Sequence, residues 1–135
     1  MALIVWNSEY SVGVKSIDEQ HKKLVGFVNE LNDAMLTGKG RPVLDKILQE
    51  LITHTAAHFE DEDLFMHQAE CSDYLAHIAE HKQLVKEILA YQKKFREGGV
   101  TINPNIMEFF RNWLTTHILK SDKKSFAQMN SKGIV

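Results

Sequence analysis

Apolar residues recur every three or four positions along four long stretches of this 135-residue chain. This spacing places them on one face of an α-helix. No stretch of alternating apolar and polar residues, which would indicate a β-strand, competes with it. The stripes consist of Leu24, Val28, Leu31 and Met35; of Ile47, Leu51 and Phe65; of Leu84, Ile88 and Phe95; and of Ile106, Phe109, Phe110 and Trp113. The pattern predicts an all-α protein.

Glycine and proline separate the four stretches. Residues 37–40 contain two glycines and precede Pro42, and Gly98 and Gly99 precede Asn103 and Pro104. Glycine is common just after a helix and proline in its first turn, and asparagine is a good N-cap. We therefore predict helices over residues 18–37, 42–67, 73–97 and 104–120.

Four helices of similar length with short connections favour an antiparallel up-down-up-down four-helix bundle. Residues 16–19 have the spacing of a capping box and predict where the first helix starts. The whole chain is expected to form a single domain, with an N-terminal arm over 1–17, the bundle over 18–120, and a short C-terminal helical turn and tail over 121–135.

Composition narrows the possible partners. A formal net charge of -2 and a pI near 6.4 give no basic surface for nucleic acid or an anionic membrane. The N-terminal apolar run over residues 2–6 is too short for a signal peptide or a membrane span, so we expect a cytoplasmic protein without membrane insertion. The single Cys71 offers neither an internal disulfide nor a cysteine zinc site.

Histidines fall on the apolar stripes. Of the seven in the chain, only His67 is predicted to be peripheral, and the six expected to point inward are His21, His54, His58, His77, His81 and His117. One inward histidine is most often a satisfied core residue, but six in a hydrocarbon interior need shared partners. A metal ion supplies them. Glu62, four residues after His58, adds inward negative charge.

The acidic run around Glu62 offers other candidates. Asp61 is the geometric alternative to Glu62, whereas Glu60 and Asp63 are expected to point away into solvent. Near the C-terminus, His117 and Asp122 are five residues apart, so in a straight α-helix they would point about 140° from each other. Spacing alone leaves it open whether Asp122 joins the cluster.

Together these motifs resemble those of a known family. The order Asp18-Glu-Gln-His21, His58-Phe-x-x-Glu62, His77-x-x-x-His81 and Trp113-Leu-x-x-His117-x-x-x-x-Asp122 resembles the hemerythrins, in particular the single-domain bacterial hemerythrins. The resemblance implies a non-haem diiron centre with an oxo or hydroxo bridge. It further implies that His77, His81 and His117 hold one iron, that His21 and His58 hold the other, and that Glu62 and Asp122 bridge both.

The function implied by the resemblance is reversible O2 binding for oxygen storage, transport or delivery, rather than enzymatic catalysis. The alternatives are O2 or NO sensing through a partner and a diiron oxidase or peroxidase. A carrier implies an oxygen-accepting protein as partner, and we expect a monomer or weak homo-oligomer. Trp113 and Leu114 are expected to line the O2 pocket. Geometry alone would let His54 replace His58 as a ligand, but the His-Phe-x-x-Glu motif favours His58 and leaves His54 behind the ligands or lining the cavity.

Two local expectations follow. If His117 and Asp122 both reach the metals, the fourth helix must loosen between Ile118 and Asp122, by a π-bulge or by a break at Ser121, with a short final turn to about Met129. In addition, residues 70–72 read Glu-Cys-Ser where the family commonly has Gly-Tyr-Pro, which predicts a different loop between the second and third helices.

Overall fold

The computed structural model describes residues 2–135, which form five α-helices and one π-helical segment. The α-helices are α1 (Lys15–Leu36), α2 (Arg41–Gln68), α3 (Tyr74–Arg96), α4 (Pro104–Thr116) and α5 (Lys123–Ser131), and the π-helix spans His117–Asp122. A single 3-10 turn, Ser8–Tyr10, lies in the N-terminal arm. Helix α2 packs against α1 and α3, and α1 packs against α4. These contacts confirm the predicted four-helix bundle.

The start of α4 follows the predicted capping pattern, whereas the start of α1 does not. Asn103 caps α4 as predicted, because its side-chain oxygen accepts from the Ile106 N–H at 3.0 Å. The prediction of a capping box over residues 16–19 was wrong, since α1 already begins at Lys15. Asp18 instead accepts from the Val12 N–H at 2.8 Å and from the Ser11 hydroxyl at 2.6 Å, and so fastens the N-terminal arm to α1.

Four helices end in the same backbone motif, in which two consecutive N–H groups bond back to the last turn. The residue after the C-cap is then in the left-handed conformation. Glycine occupies that position after α1, α3 and α5, as Gly38, Gly98 and Gly133 with φ of 70°, 80° and 86°. After α2 the position is held by Glu70, with φ 53°. In this conformation the Cβ of Glu70 lies close to the backbone, so α2 ends with local strain. The predicted difference from the family in this loop stays a prediction.

The core follows the predicted stripes with one exception. Phe109 was expected inward but is 37% exposed. Met107, Phe110 and Leu114 form the buried face of α4 instead, and Phe109 lies about 100° round the helix from Phe110.

The π-helix lies in the segment where the fourth helix was predicted to loosen. His117–Asp122 has π-type hydrogen bonding, and Asp122 is fully buried, which confirms the predicted π-bulge over a break at Ser121. Its wider turn brings residues five apart onto one face. The chain then continues without interruption into α5, which has nine residues and ends at Ser131, two residues beyond the predicted end near Met129. Within residues 2–135, no helix is long and apolar enough to cross a membrane.

Candidate metal centre

Seven buried side chains, contributed by α1, α2, α3 and the π-helix, meet in the interior of the bundle. They are His21 from α1, His58 and Glu62 from α2, His77 and His81 from α3, and His117 and Asp122 from the π-helix, none more than 3% exposed. Pairs four residues apart on α2 and α3 share a helical face, and the π-turn does the same for the pair five apart. The seven residues predicted as ligands therefore lie together.

The Glu62 carboxylate lies between two groups of imidazoles. Its Oε2 atom is 3.0 Å from Nε2 of His21 and 2.8 Å from Nε2 of His58. Its Oε1 atom faces the other side, 3.0 Å from Nε2 of His81. Each carboxylate oxygen thus has its own set of nitrogens.

Asp122 divides its oxygens in the same way. Its Oδ2 atom is 3.0 Å from Nε2 of His21, whereas Oδ1 is 2.9 Å from Nε2 of His77 and 3.0 Å from Nε2 of His117. The two carboxylates thereby separate a two-histidine side from a three-histidine side. This is the 2 + 3 division that the resemblance implies.

The spacing of these atoms fits ligands of a six-coordinate metal. Metal–nitrogen bonds of about 2.1 Å at right angles put neighbouring ligand atoms about 3.0 Å apart, whereas tetrahedral angles give about 3.4 Å. The shorter contacts in the cluster are 2.8–3.1 Å, whereas Nε2 of His77 and Nε2 of His117 each lie 3.6 Å from Oε1 of Glu62. The three-histidine side also has five side chains that could bind one ion, which is one more than a tetrahedral zinc ion binds.

Many of these buried atoms have no hydrogen-bond partner within residues 2–135. They are Nδ1 of His21, Nε2 of His58 and His77, Oε1 of Glu62 and both carboxylate oxygens of Asp122. His58 Nε2 is close to Glu62 in distance but is not aligned with it as a hydrogen bond. Unpaired buried polar atoms are costly unless something else binds them. A metal centre between them accounts for five of these six atoms, His21 Nδ1 being the exception.

Carboxylates fix the orientation of two imidazoles from behind. His81 donates from Nδ1 to Asp63 at 2.8 Å, and His117 donates from Nδ1 to Glu80 at 2.7 Å. A carboxylate only accepts, so each Nδ1 carries a proton, and in the neutral imidazole the Nε2 lone pair points at the cluster. Glu80 also accepts from the Ser121 hydroxyl at 3.0 Å and ties the π-helix to α3.

Neutral groups stand behind two further imidazoles. His77 Nδ1 is 2.9 Å from the Ser125 hydroxyl, which donates to Asp73 at 2.6 Å. His58 Nδ1 is 2.6 Å from Oε1 of Gln20, whose amide nitrogen donates to Asp61 at 2.8 Å. In both cases the outer carboxylate fixes the direction of the hydrogen bonds, so the proton of the neutral imidazole lies on Nδ1 and its Nε2 atom, which faces inward, is free to bind a metal ion or a second proton.

Charge in the cluster is balanced between carboxylates and imidazoles. Burial alone would lower the pKa of His21, but hydrogen bonds and negative charge from Asp122 and Glu62 outweigh it and raise the pKa to about 9. The same groups raise the pKa of His77 to about 9 against the effect of burial. Burial would raise the pKa of Glu62, yet the facing imidazoles hold it well below its usual range. The cluster therefore favours bound positive charge, whether protons or metal ions.

Two expectations about residues near the cluster were wrong. His54 was predicted to point inward, but its side chain is exposed and stacks on Phe27 with ring centroids 4.7 Å apart. Thr55 takes the inward position on that turn of α2, which places His54 about 100° away. Asp63 was predicted to face solvent but accepts the hydrogen bond from His81.

Sequence reasoning also missed Gln20, Glu80, Ser125 and Asp73 as partners of the imidazoles. The only signal in the sequence for these partners was that Gln20 and Glu80 each directly precede a cluster histidine. Adjacent side chains lie about 100° apart round a helix, so these two point towards a neighbouring helix rather than into the cluster. Polar residues at the rim of a bundle look the same in sequence whether or not they hold a ligand.

Trp113 and Leu114 lie near the cluster in different ways. Leu114 is 1% exposed and stands one turn before His117. Trp113 is partly buried, and its ring stacks over His117 at 6.3 Å and meets Phe59 edge-on at 6.1 Å. Phe59 in turn stacks on His81 with centroids 3.8 Å apart. The cluster is therefore flanked by apolar surface, and the role of Trp113 and Leu114 in an O2 pocket stays a prediction.

Comparison with known proteins shows which proteins this chain is similar to. Residues 12–129 match the family model described as the hemerythrin HHE cation binding domain. The bacteriohemerythrin of Methylococcus capsulatus is 39% identical over 124 residues, which cover 91% of this chain and 94% of that protein. The bacteriohemerythrin of Pseudomonas aeruginosa is 30% identical over 122 residues, covering 90% of this chain and 78% of that protein.

Crystal structures of hemerythrins align with this chain over most of its length. A crystal structure of wild-type hemerythrin aligns with a TM-score of 0.89 at 36% identity, covering 95% of this chain and 98% of that chain. A hemerythrin mutant with one leucine replaced by alanine aligns with a TM-score of 0.90 at 36% identity, covering 96% of this chain and 98% of that chain.

Proposed function

Because the chain belongs to the hemerythrin family, we propose that its buried cluster holds two iron ions and binds O2 reversibly, for oxygen storage, transport or delivery. The observation that carries this proposal is the division of five Nε2 atoms into sets of two and three on opposite sides of two shared carboxylates. Two adjacent ferrous ions would supply the electrons that O2 takes up on binding and returns on release.

The number of donor atoms supports a free position for a small ligand. Two six-coordinate ions offer about twelve positions, of which the imidazoles fill five, the two carboxylates four and a shared oxo or hydroxo bridge two. The remaining position belongs to the two-histidine side, at His21 and His58. O2 is small and uncharged, so it needs no further recognition group there.

The surroundings favour binding of O2 over its cleavage. Across residues 2–135, the seven cluster residues are the only buried carboxyl and imidazole side chains. The nearby Asp63 and Glu80 are each committed to a histidine N–H. A general acid that could protonate bound oxygen is therefore missing from the described interior, and the apolar side chains of Phe59 and Leu114 limit water.

In this role the protein would act in the cytoplasm, as a monomer or weak homo-oligomer, and pass O2 to an accepting protein. The test is to expose the reduced, iron-loaded protein to air and then to vacuum over many cycles while H2O2 is measured. A carrier returns to its starting spectrum each time and releases little H2O2. Conversion to a ferric form within one cycle, with H2O2 or an oxidised substrate accumulating, would instead identify an oxidase or peroxidase.

A further inference from the structure

The imidazoles on the two sides of the cluster differ in what accepts their Nδ1 protons. On the three-histidine side, His81 and His117 donate directly to the carboxylates of Asp63 and Glu80, at 2.8 and 2.7 Å. A carboxylate behind an imidazole raises the basicity of the ligating nitrogen. Two of the three nitrogens on this side are therefore strengthened as donors.

On the two-histidine side, no carboxylate among the described residues contacts the Nδ1 atom of either imidazole. His58 donates to the neutral amide oxygen of Gln20 at 2.6 Å, and the nearest acid, Asp61, is one hydrogen bond further out, 2.8 Å from the Gln20 nitrogen. His21 Nδ1 is buried and has no partner among the described residues. Both nitrogens on this side are thus weaker donors than those backed by Asp63 and Glu80.

Gln20 is also the residue through which this side meets solvent. It lines a surface pocket of about 160 Å³ together with Lys23, His54, Ala57, His58 and Asp61. A carboxylate in place of the partly exposed Gln20 amide would be partly solvated, so desolvation does not forbid it. The neutral amide is therefore not imposed by burial.

We propose that Gln20 is a positioning residue whose neutral amide keeps the two-histidine side the weaker electron donor, so that the two metal ions differ in affinity and in reduction potential. The ion on the side that the proposed function leaves open for O2 is then the more weakly held and the harder to oxidise. The inference rests on the proposed two-metal centre but not on O2 binding.

The double variant Gln20→Glu/Asp61→Asn tests this with the net charge unchanged. It exchanges amide and carboxylate, so His58 donates directly to a carboxylate, and the amide introduced at position 61 donates to that carboxylate in place of the lost Gln20–Asp61 bond. Asp61→Asn alone is the matched control, because it changes the outer group and leaves the Gln20 amide against His58.

The measurement is anaerobic Fe²⁺ titration of the metal-free protein against a competing chelator, which yields the two stepwise affinities. The double variant should raise the weaker affinity by about tenfold and leave the stronger within about twofold, since such outer partners change metal affinity by about 10- to 100-fold. The control should leave both within about threefold. A tenfold gain in preference for ferric over ferrous iron would lower the potential of that ion by about 59 mV.

Unchanged affinities in a folded double variant, or equal changes in both, would overturn the inference. Glu80→Gln provides a second test on the opposite side, because it removes the carboxylate behind His117 while its amide still bonds His117 and Ser121. It should lower the stronger affinity by about tenfold, and an unchanged value refutes the proposal even if the double variant does not fold. If the unmodified protein fails to bind two ions, the proposed function itself fails.

Discussion

Removing the metal should make the stability of this protein fall as pH rises. Without metal, Glu62 and Asp122 remain fully buried, and buried carboxylates need compensating positive charge. The imidazoles provide it by taking up protons, since their contacts with these carboxylates raise the pKa of His21 and His77 to about 9. The metal-free cluster is therefore held together by protons.

The size of the effect follows from the shift in pKa. A rise from 6.5 in the unfolded chain to about 9 in the folded one corresponds to about 3 kcal/mol for a single imidazole. His21 and His77 share the same two carboxylates, so the total is less than the sum of separate contributions. Because the folded pKa is the higher one, the stabilisation is complete below pH 6.5 and is lost as pH rises through about 9.

Bound metal reverses the direction in which stability changes with pH. A metal ion competes with protons for the imidazoles, so acid releases it and alkaline pH strengthens its binding. The loaded protein should therefore gain stability from pH 6 to pH 8, where the metal-free protein has begun to lose it. Each ion present at 1,000 times its Kd adds about 4 kcal/mol.

Urea unfolding of the metal-free and metal-loaded protein between pH 6 and pH 9.5 tests this prediction. We expect the unfolding free energy of the metal-free form to fall by about 3 kcal/mol or more over that range. His54→Gln is a control, because His54 is exposed and outside the cluster. A metal-free stability that is flat or rises between pH 6.5 and pH 9 would show that the cluster is not held by protonated imidazoles.

Three substitutions give further tests. Glu70→Gly should stabilise the protein by about 0.5–1 kcal/mol in urea unfolding, because glycine relieves the left-handed strain after α2; a loss of stability would contradict the assigned helix end. Asp122→Ala should lower the iron content and abolish the visible band, whereas the exposed Asp33→Ala should retain both; full iron loading with an unchanged spectrum would remove Asp122 from the centre. Leu114→Ala should cost about 2–5 kcal/mol and speed autoxidation, and an unchanged autoxidation rate would exclude Leu114 from the pocket lining.

The residues that sequence predicts best are those under two constraints at once. His58 and Glu62 lie on the apolar stripe and also four residues apart, so helix geometry alone predicts the bundle and the inward position of these residues. For Asp122 and the π-helix the resemblance to the hemerythrins was needed as well, because it implies that His117 and Asp122 reach the same metals although they are five residues apart.

Contacts across helices could not be predicted in the same way. Asp63, Glu80 and Gln20 are polar positions at the edge of a stripe, and only the packing of one helix on another decides whether they meet a histidine or water. The prediction for His54 was wrong for a related reason, because the inward repeat of α2 passes through Leu51, Thr55, His58 and Glu62, and His54 lies about 100° from Thr55. Local periodicity therefore predicts which helical face carries the cluster residues, but not which residues hydrogen-bond to the imidazoles from behind.

The most direct test of the central claim is the stoichiometry and reversibility of O2 uptake by the fully reduced, iron-loaded protein. We expect one O2 per two irons, with a visible charge-transfer band that appears on uptake and disappears under vacuum as the same amount of O2 is recovered. Uptake of O2 that is not returned under vacuum, or iron binding with no O2 uptake at all, would contradict the account.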